Sequence, residues 1–304
     1  MTIPPTGHDP VLVEESLDAL KLRPGATVVD CTLGRAGHAR LIADRLGPGG
    51  LLIGLDVDPR NLEYAQSRLA DAPCPHRLFH ANFAELPDVL ADVGRLQVDA
   101  IFADLGLSTN QLLDPHYGLS FAADAPLDMR IDPRLRQTAA DLVNTMREND
   151  LANVLYELAQ ERYSRRIARK IVESRRVSPI KTTAALAELV RQAVPLRKAD
   201  RIDPATRTFL ALRMVVNREI ENTQALLEQA PRHLVPGGRL AVISFQSTED
   251  RLVKQALRSA EQTGLVRLIT KKPLAPSDSE IARNPRARSA KLRVAERCDH
   301  RSEQ

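Results

Sequence analysis

Short apolar segments alternate with amphipathic ones over the first hundred residues. Four of the apolar segments predict buried strands, at residues 27–31, 51–56, 77–80 and 98–105. Segments with helical spacing lie between them, and one of these, residues 61–70, follows an Asp-Pro start signal. Because strands and helices alternate, we expect a parallel sheet with helices on both faces.

The alternation stops near residue 112 and resumes near residue 204. The intervening segment predicts helices only. One starts at a capping box of Thr138 and Asp141 and extends to residue 144, and the others span residues 161–175 and 184–193. We interpret residues 112–203 as a helical insertion. The sheet domain would then consist of residues 1–111 and 204–304.

After the insertion the pattern predicts one long helix and three more strands. Asp203 is an N-cap candidate with Pro204 at the first helical position, and apolar residues continue at helical spacing to Leu227. A Pro-Gly-Gly turn at residues 236–238 then leads into a fifth strand at 239–245, and residues 247–250 cap the next helix. Strands at 266–271 and 291–296 complete a predicted seven-strand sheet.

Polar residues follow the first two predicted strands. Gly34 and Gly37 allow the backbone to turn tightly and to approach a ligand closely. Asp56, at the end of the second strand, can accept hydrogen bonds from both hydroxyls of a ribose. This layout predicts a nucleotide-type cofactor site, and a glycine turn beside a solvated acid is the alternative. The turn lacks the Gly-x-Gly-x-x-Gly pattern of pyrophosphate binders, which favours S-adenosylmethionine over NAD.

The composition is that of a soluble globular protein. The chain has 304 residues, 43% hydrophobic and 27% charged. No apolar run approaches the roughly 18 residues of a membrane span, and the N-terminus lacks signal-peptide features, so we expect a cytoplasmic protein without a membrane partner. Cys31, Cys74 and Cys298 are scattered and suggest neither a disulfide framework nor a zinc site, and no ligand cluster requires a metal. Cys31 is expected to be a small buried residue.

Positive charge is concentrated locally on a chain whose net charge is only +4. Residues 162–176 contain seven basic residues and one acid, Glu173, with arginines at helical spacing. Such a stripe suits a polyanion such as nucleic acid, and a solvated helix face is the alternative. Aromatic residues are only 3% and tryptophan is absent, so base-stacking platforms are expected to be few.

Longer motifs extend over nearly the whole chain, and through them it resembles the RsmH (MraW) family. Those proteins are bacterial S-adenosylmethionine-dependent methyltransferases that act on the exocyclic N4 of a cytidine in the decoding region of 16S ribosomal RNA. The motifs that carry the resemblance are residues 8–12, 82–83, 102–111, 126–130, 161–162, 165–168, 204–209, 211–213, 236–240, 249–251 and 284–293.

The resemblance implies an α/β fold, the class I S-adenosylmethionine-dependent methyltransferase fold with its Rossmann-like seven-strand sheet, and makes the insertion a substrate-recognition domain. It implies that the methionine carboxylate of the cofactor is held by Ala36, Gly37 and His38. Asp56 would bind the ribose and Phe83 the adenine, while Asp104 and Gln111 would bracket the methionine portion and the reactive methyl group.

Asp104 is also the candidate catalytic residue, as acceptor of the N4–H bond, although a role in holding the cofactor alone stays open. The implied partner is 16S rRNA within the small ribosomal subunit, and the oligomeric state, monomer or homodimer, is open. The candidate RNA contacts are Arg130, Arg165, Arg166, Arg169, Arg207, Arg213 and Gln246.

The chain departs from the family pattern at a few motif positions. Ala36 stands where the family usually has Gly, Asp203 and Gln246 where it usually has His, and Thr248 where it usually has Leu. Glutamine can hydrogen-bond a phosphate or base edge but does not titrate near neutral pH. We interpret these differences as changes in substrate contacts. The alternatives are a methyltransferase of the same fold acting on a DNA or protein amine, and a non-catalytic binding protein. A dehydrogenase is disfavoured.

Overall fold

The computed structural model describes residues 10–195 and 202–299. The chain forms two compact units, one within Met1–Gly106 and Glu221–Gln304 and the other within Leu107–Ile220. These limits differ from the predicted ones, since residues 107–111 and the helix that starts at Ala205 belong to the second unit. Residues 8 and 9 of the first motif lie outside the described residues.

The first unit contains the predicted sheet. Its N-terminal part alternates helices and strands as expected. The elements are α1 Val13–Leu20, β1 Thr27–Asp30, α2 Gly37–Leu46, β2 Leu51–Asp56, α3 Pro59–Arg68, β3 His76–His80, α4 Leu86–Val93 and β4 Val98–Asp104.

The second unit is helical, as predicted for the insertion, and the chain then returns to the sheet. The helices are α5 Thr109–Leu113, α6 Ala139–Thr145, α7 Glu148–Ala159, α8 Ser164–Arg175, α9 Thr183–Ala193 and α10 Ala205–Val216. The elements that follow are α11 Glu219–Gln229, β5 Leu234–Ser244, α12 Ser247–Gln262, β6 Val266–Leu268, α13 Asp278–Arg283 and β7 Lys291–Arg297.

The seven strands of the described chain pair in the order β3-β2-β1-β4-β5-β7-β6. The first five strands are parallel, and β7 runs antiparallel to both β5 and β6. The strand order reverses direction between β1 and β4, which is the point in an open α/β sheet where ligands usually bind. The seven-strand sheet predicted from the sequence is confirmed.

Alternate residues of the strands face two different apolar cores, which explains why the strands read as continuous apolar runs. On one face Val28, Leu52 and Phe102 pack with apolar residues of α1 and α2. On the other face Val29, Ile53 and Ile101 pack with α4, α11 and α12. The carboxyl ends of the strands are thereby held rigidly by burial on both sides.

The fifth strand begins five residues earlier than predicted, because the Pro-Gly-Gly segment is part of it. The pairing of β5 with β4 shifts register between Val98 and Ala100, so this segment accommodates a bulge. A Cβ at Gly238 would lie 2.8 Å from the carbonyl oxygen of Val235 and 2.9 Å from that of Asp99. Glycine is therefore required there by a close backbone approach within the sheet.

The prediction of one long helix after residue 203 is wrong, because two separate helices, α10 and α11, form there. Arg218 has a φ of 51°, a left-handed conformation that cannot continue a helix. The Asn217 side chain fixes the break: its amide donates to the carbonyl of Met129 (2.8 Å) and its oxygen accepts from the N–H of Ile131 (2.9 Å). Helix α10 also begins one residue later than predicted, after Pro204.

The amphipathic helix predicted at residues 161–175 is α8. Its predicted apolar face is buried, as Ile167, Ala168 and Ile171 show.

Asp203 stands where the family usually has a histidine. It accepts from the N–H of Ala205 (2.8 Å) and pairs with Arg191 (2.9 Å). Its negative charge is thus balanced locally. Among the described residues, no helix combines the length and apolar character needed to cross a membrane.

Candidate active site

Three aspartates end neighbouring strands of the first unit. Asp30 ends β1, Asp56 ends β2 and Asp104 ends β4, so all three lie at the edge of the sheet where the strand order reverses. Each is largely buried. Burying carboxyls so close together is energetically costly, and such concentrations are typical of functional sites.

Thr32 links the ends of β1 and β4. Its backbone N–H donates to Oδ1 of Asp30 (3.0 Å), and its hydroxyl oxygen accepts from the backbone N–H of Asp104 (2.6 Å). Burial and the nearby Asp56 carboxyl raise the pKa of Asp30 to about 7, despite the opposing Thr32 hydrogen bond. Neither Asp30 nor Thr32 was among the predicted site residues. The available signal was their position directly after a buried strand.

The turn after β1 leads into the N-terminus of α2. Ala36 is fully buried and adopts φ 57°, ψ 38°, a left-handed conformation that costs a non-glycine residue roughly 1–2 kcal/mol. Gly37 and His38, predicted on the loop, form the first turn of the helix. Ala36 has no side-chain acceptor for the first N–H groups of α2, which therefore offer a site suited to an anion.

The His38 ring lies beneath this turn. Its Nε2 is 2.9 Å from the carbonyl oxygen of Val11, and because a carbonyl only accepts, Nε2 carries the hydrogen. Nδ1 lies 3.9 Å from Oδ2 of Asp104, and the ring packs against Phe102. His38 thus contributes a buried side chain as well as its backbone N–H.

Asp56 joins the turn after β1 to the turn after β2. Its Oδ2 accepts from the N–H of Gly34 (2.7 Å) and its Oδ1 from the N–H of Asp58 (2.8 Å). Burial outweighs these hydrogen bonds and raises the pKa of Asp56 to about 7. Oδ2 also accepts from the side-chain amide of Asn61 (3.4 Å), whereas Oδ1 retains acceptor capacity for a hydroxyl, so the geometry is compatible with the predicted ribose contact.

Asp104 has a buried oxygen, Oδ1, with no hydrogen-bond partner among the described residues. Burial, with Asp30 and Glu249 nearby, raises the pKa of Asp104 well above its usual range. Buried carboxyl oxygens are nearly always hydrogen-bonded, so this oxygen is an acceptor open to a ligand or to water. Of the predicted residues, Asp104 has the clearest structural signal of function.

Gln246 and Glu249 form a reciprocal cap at the start of α12. Oε2 of Glu249 accepts from the N–H groups of Phe245 and Gln246, both at 3.0 Å, and the Gln246 side chain bonds back to the helix. Gln246 therefore has a structural role in addition to its predicted RNA contact. Glu249 is buried, and the sequence indicated it only as part of the cap and of a family motif, without a site role.

The remaining predicted cofactor residues lie in different places. Phe83 begins a 3₁₀ turn in the first unit and packs, half-buried, against the α4 side of the sheet. Gln111 belongs to the second unit, where it is buried in α5 and its Oε1 accepts from the N–H of Ser108 (3.3 Å).

Burial raises the pKa of the Cys31 thiol, in agreement with its interpretation as an unreactive core residue.

The predicted RNA-contacting arginines fall into two groups in the second unit. Arg165, Arg166, Arg169 and Arg207 are exposed. Arg130 instead forms a two-pronged pair with Asp128 (both contacts 2.7 Å), and Arg213 forms one with Glu219 (2.7 and 2.8 Å). Because these two guanidinium groups already hold the local fold together, the RNA contacts predicted for them are less well supported by the structure.

A family model described as the MraW methylase family matches residues 5–298 of the chain. The chain belongs to this family. It is a methyltransferase with the class I fold, and its methyl donor is S-adenosylmethionine. The orphaned oxygen of Asp104 and the uncapped N-terminus of α2 fit a ligand with hydrogen-bond donors and a carboxylate.

Curated relatives match the chain over nearly their full length. The chain is 49% identical to a protein of Acidobacterium capsulatum over 95% of this chain and 98% of that one, and 49% identical to one of a Cyanothece species over 96% and 95%. Both are named ribosomal RNA small subunit methyltransferase H. A solved structure of an rRNA methylase from Streptococcus thermophilus has 12% identity and a TM-score of 0.46 over 94% of this chain and 96% of that one.

Proposed function

We propose that the chain methylates the exocyclic N4 of a cytidine in the decoding region of 16S rRNA. Two independent observations support this proposal. The curated relatives at 44–49% identity are all named for methylation of the small-subunit ribosomal RNA. The orphaned Oδ1 of Asp104 is an acceptor suited to an amino group, and this observation carries the choice of an exocyclic amine.

In this proposal the first unit holds the cofactor. The first turn of α2, at Ala36, Gly37 and His38, receives the methionine carboxylate, and Asp56 accepts the ribose hydroxyls. Phe83 supports the adenine, and Gln111 remains a predicted contact to the methionine portion. When bound, S-adenosylmethionine supplies a methyl group on a positively charged sulfonium, which leaves readily as a neutral thioether.

Asp104 then activates the acceptor amine. The N4 lone pair of cytosine is conjugated with the ring, so this nitrogen is a poor nucleophile. Oδ1 of Asp104 accepts an N4–H bond, increases electron density on the nitrogen and stabilises the positive charge that develops there. The new N–CH₃ bond forms as the S–CH₃ bond breaks, and N4 loses one proton. In its ionised form Asp104 takes that proton and then releases it to solvent, and its raised pKa makes the carboxylate a stronger base than an ordinary aspartate.

The proposed RNA surface is the exposed face of α8, with Arg165, Arg166 and Arg169. Contacts from these side chains to phosphates would position the substrate without reading its sequence. The target base would leave its stack to reach the carboxyl group. We propose the small ribosomal subunit, in the cytoplasm, as the partner.

The direct test is to incubate the protein with labelled S-adenosylmethionine and small subunits that lack this modification. The labelled nucleoside is then identified by mass spectrometry, with naked 16S rRNA, DNA and a protein amine as parallel substrates. N4-methylcytidine from the subunit or the rRNA supports the proposal. Label in DNA or protein, or cofactor binding without any transfer, contradicts it.

A further inference from the structure

A cleft opens between α7 and α8 in the second unit. Its volume is about 270 Å³, and its lining includes Tyr156 from α7, Arg162 and Tyr163 from the connecting segment, and Arg165 and Arg166 from α8. We call it the α7–α8 cleft. Because it is somewhat smaller than the roughly 300–1,000 Å³ of pockets for drug-sized ligands, it suits a single base with part of its sugar.

The cleft contains two of the four tyrosines of the chain. Tyr156 is 61% exposed, which is unusual for a large aromatic side chain and leaves its ring available for stacking. The guanidinium carbon of Arg166 lies 5.9 Å from the centre of the Tyr163 ring, close enough for a cation–π contact. An aromatic surface thus lies next to cationic groups.

The charge of the cleft is not balanced locally. No carboxylate oxygen among the described residues lies within 4.0 Å of the cationic groups of Arg162, Arg165 or Arg166, whereas the next arginine of the helix, Arg169, has Glu148 at 3.8 Å. All three unpaired arginines are exposed. Proteins that bind single-stranded nucleic acid combine cationic side chains, which contact the phosphates, with exposed aromatic rings, on which the bases stack. Unpaired arginines beside an exposed ring provide both.

The segment that connects the two helices is fixed in place. Gln160 ends α7 with a φ of 52°, and its N–H donates to the carbonyl of Tyr156 (2.8 Å). The side chain of Glu161 is buried, and its carboxylate accepts a hydrogen bond from the backbone N–H of Tyr163 (2.7 Å). Since the backbone that carries Arg162 and Tyr163 is already ordered, binding would cost little conformational entropy.

We propose that the α7–α8 cleft binds one unpaired nucleotide of the substrate RNA. The base stacks on Tyr156, and Arg162, Arg165 and Arg166 contact the adjoining phosphates. This inference rests on the proposed function in taking RNA as the partner, and it adds a base-stacking contact provided entirely by the second unit. It predicts that unpaired RNA binds better than duplex RNA of equal charge.

Because the chain has no tryptophan, one introduced residue can report on the cleft alone. Tyr156→Trp keeps a stacking ring, and its fluorescence is expected to be quenched when a six-nucleotide single-stranded oligocytidylate binds. The matched control is Val177→Trp, just beyond the opposite end of α8 at a side chain that is 90% exposed. Inorganic polyphosphate and a hexaglutamate peptide serve as anions without bases.

The expected result is that the oligonucleotide quenches the indole fluorescence of Tyr156→Trp and changes that of Val177→Trp little, while polyphosphate quenches neither. Oligonucleotide binding without quenching in Tyr156→Trp, measured in parallel by anisotropy of a labelled strand, would overturn the stacking contact. Displacement of the oligonucleotide by an equal concentration of hexaglutamate would indicate an acidic protein segment as the occupant instead.

Two further variants measure how much the ring contributes. Tyr156→Ala is expected to weaken oligonucleotide binding about 5- to 150-fold, since one stacked base contributes that much in single-strand binding proteins. Tyr156→Phe keeps the ring and should bind within about twofold of the unaltered protein. Equal affinity of the Ala and Phe variants contradicts the proposal, and an unchanged circular dichroism melting curve shows that both fold.

The outcome is separable from that of the proposed function. Quenching in the Tyr156→Trp variant without N4-methylcytidine in the transfer assay would reject the proposed reaction and retain the nucleotide site. N4-methylcytidine together with equal RNA binding by the Ala and Phe variants would reject the cleft alone.

Discussion

Oδ2 of Asp104 lies 3.9 Å from Nδ1 of His38, while Oδ1 of the same carboxyl group has no partner among the described residues. The two oxygens therefore have different surroundings. One is oriented towards a buried ring that is itself fixed by the Val11 carbonyl, and the other is left for a ligand. Oδ1 of Asp104 can therefore accept a hydrogen bond from a ligand without first breaking a hydrogen bond to another residue of the protein.

Asp104→Asn tests the role of that oxygen. If Asp104 activates the amine, methyl transfer in single-turnover experiments should fall about 10²- to 10⁴-fold, the usual effect of losing a general base. Affinity for S-adenosylhomocysteine, measured by calorimetry, should change less than about threefold. If the affinity for S-adenosylhomocysteine falls in proportion to the rate, Asp104 holds the cofactor and does not activate the amine. Unchanged turnover would contradict both the catalytic and the cofactor-binding role.

Asp56→Asn tests the ribose contact. Replacing a carboxylate that accepts hydroxyl hydrogen bonds should weaken S-adenosylhomocysteine binding about 10-fold or more. Because the pKa of Asp56 is about 7, we also expect wild-type affinity to rise between pH 6 and pH 8, as the carboxylate ionises. Asp58→Asn is the control, since asparagine still caps α3 in its place. Similar losses in both variants would indicate general loop damage.

The stability of the ligand-free protein should fall as pH rises from 5.5 to 8. The carboxyl groups of Asp30 and Asp56 have pKa values near 7 in the folded state and near 3.8 when unfolded, so the folded state retains protons that the unfolded state has lost. The decrease in unfolding free energy, measured by urea titration, should be about 2 kcal/mol for each of the two groups, or about 4 kcal/mol together. Asp30→Asn should make the decrease about half as large, because Asp56 still contributes its share, and a stability that rises with pH would contradict the raised pKa values.

Replacing Arg165, Arg166 and Arg169 together by alanine should weaken RNA binding and reduce its salt dependence. Each lost phosphate contact lowers the slope of log affinity against log salt by about 0.7–0.9. The control removes the same charge from exposed residues of the first unit, Lys254, Arg258 and Lys271. Equal slopes for the two triple variants would show that α8 has no special role.

Gly118→Ala should destabilise the second unit severely. Gly118 has a φ of 63°, and a Cβ there would overlap the carbonyl oxygen of Pro126, so strain adds to a backbone clash. We expect a loss of at least about 3 kcal/mol in urea unfolding. Gly94→Ala is the matched control, with a φ of 73° and no atom within 4 Å of the added carbon, and should cost about 1 kcal/mol.

The elements of the fold that depend on local pattern could be predicted from the sequence. The strands are buried on both faces, so their apolar runs were visible, and β2 was predicted without error. The break at Asn217 and Arg218 was missed because apolar spacing continues through it, and what fixes it is a contact to Met129, distant in sequence. The start of β5 was missed because Pro-Gly-Gly normally marks a turn, whereas here it lies in a sheet bulge.

The site was only partly predictable. Asp56 and Asp104 were found because polar residues at strand ends stand out, and the rest of their assignment came from family motifs. Asp30 and Glu249 were missed, since their importance lies in being buried near Asp104, which no local pattern reveals. The use of Arg130 and Arg213 in ion pairs likewise depends on tertiary contacts, because a free and a paired arginine look alike in sequence.

The position of β7 has a consequence for how the protein is made. This strand lies between β5 and β6, and β6 pairs with no other strand of the described sheet. A ribosome that has translated only as far as residue 290 has therefore produced every aspartate of the site but not the strand that joins β6 to the rest of the sheet. Any nascent chain or fragment that stops there exposes the open edge of β5, a surface prone to aggregation. The described sheet gains its last strand only when synthesis has passed Arg297.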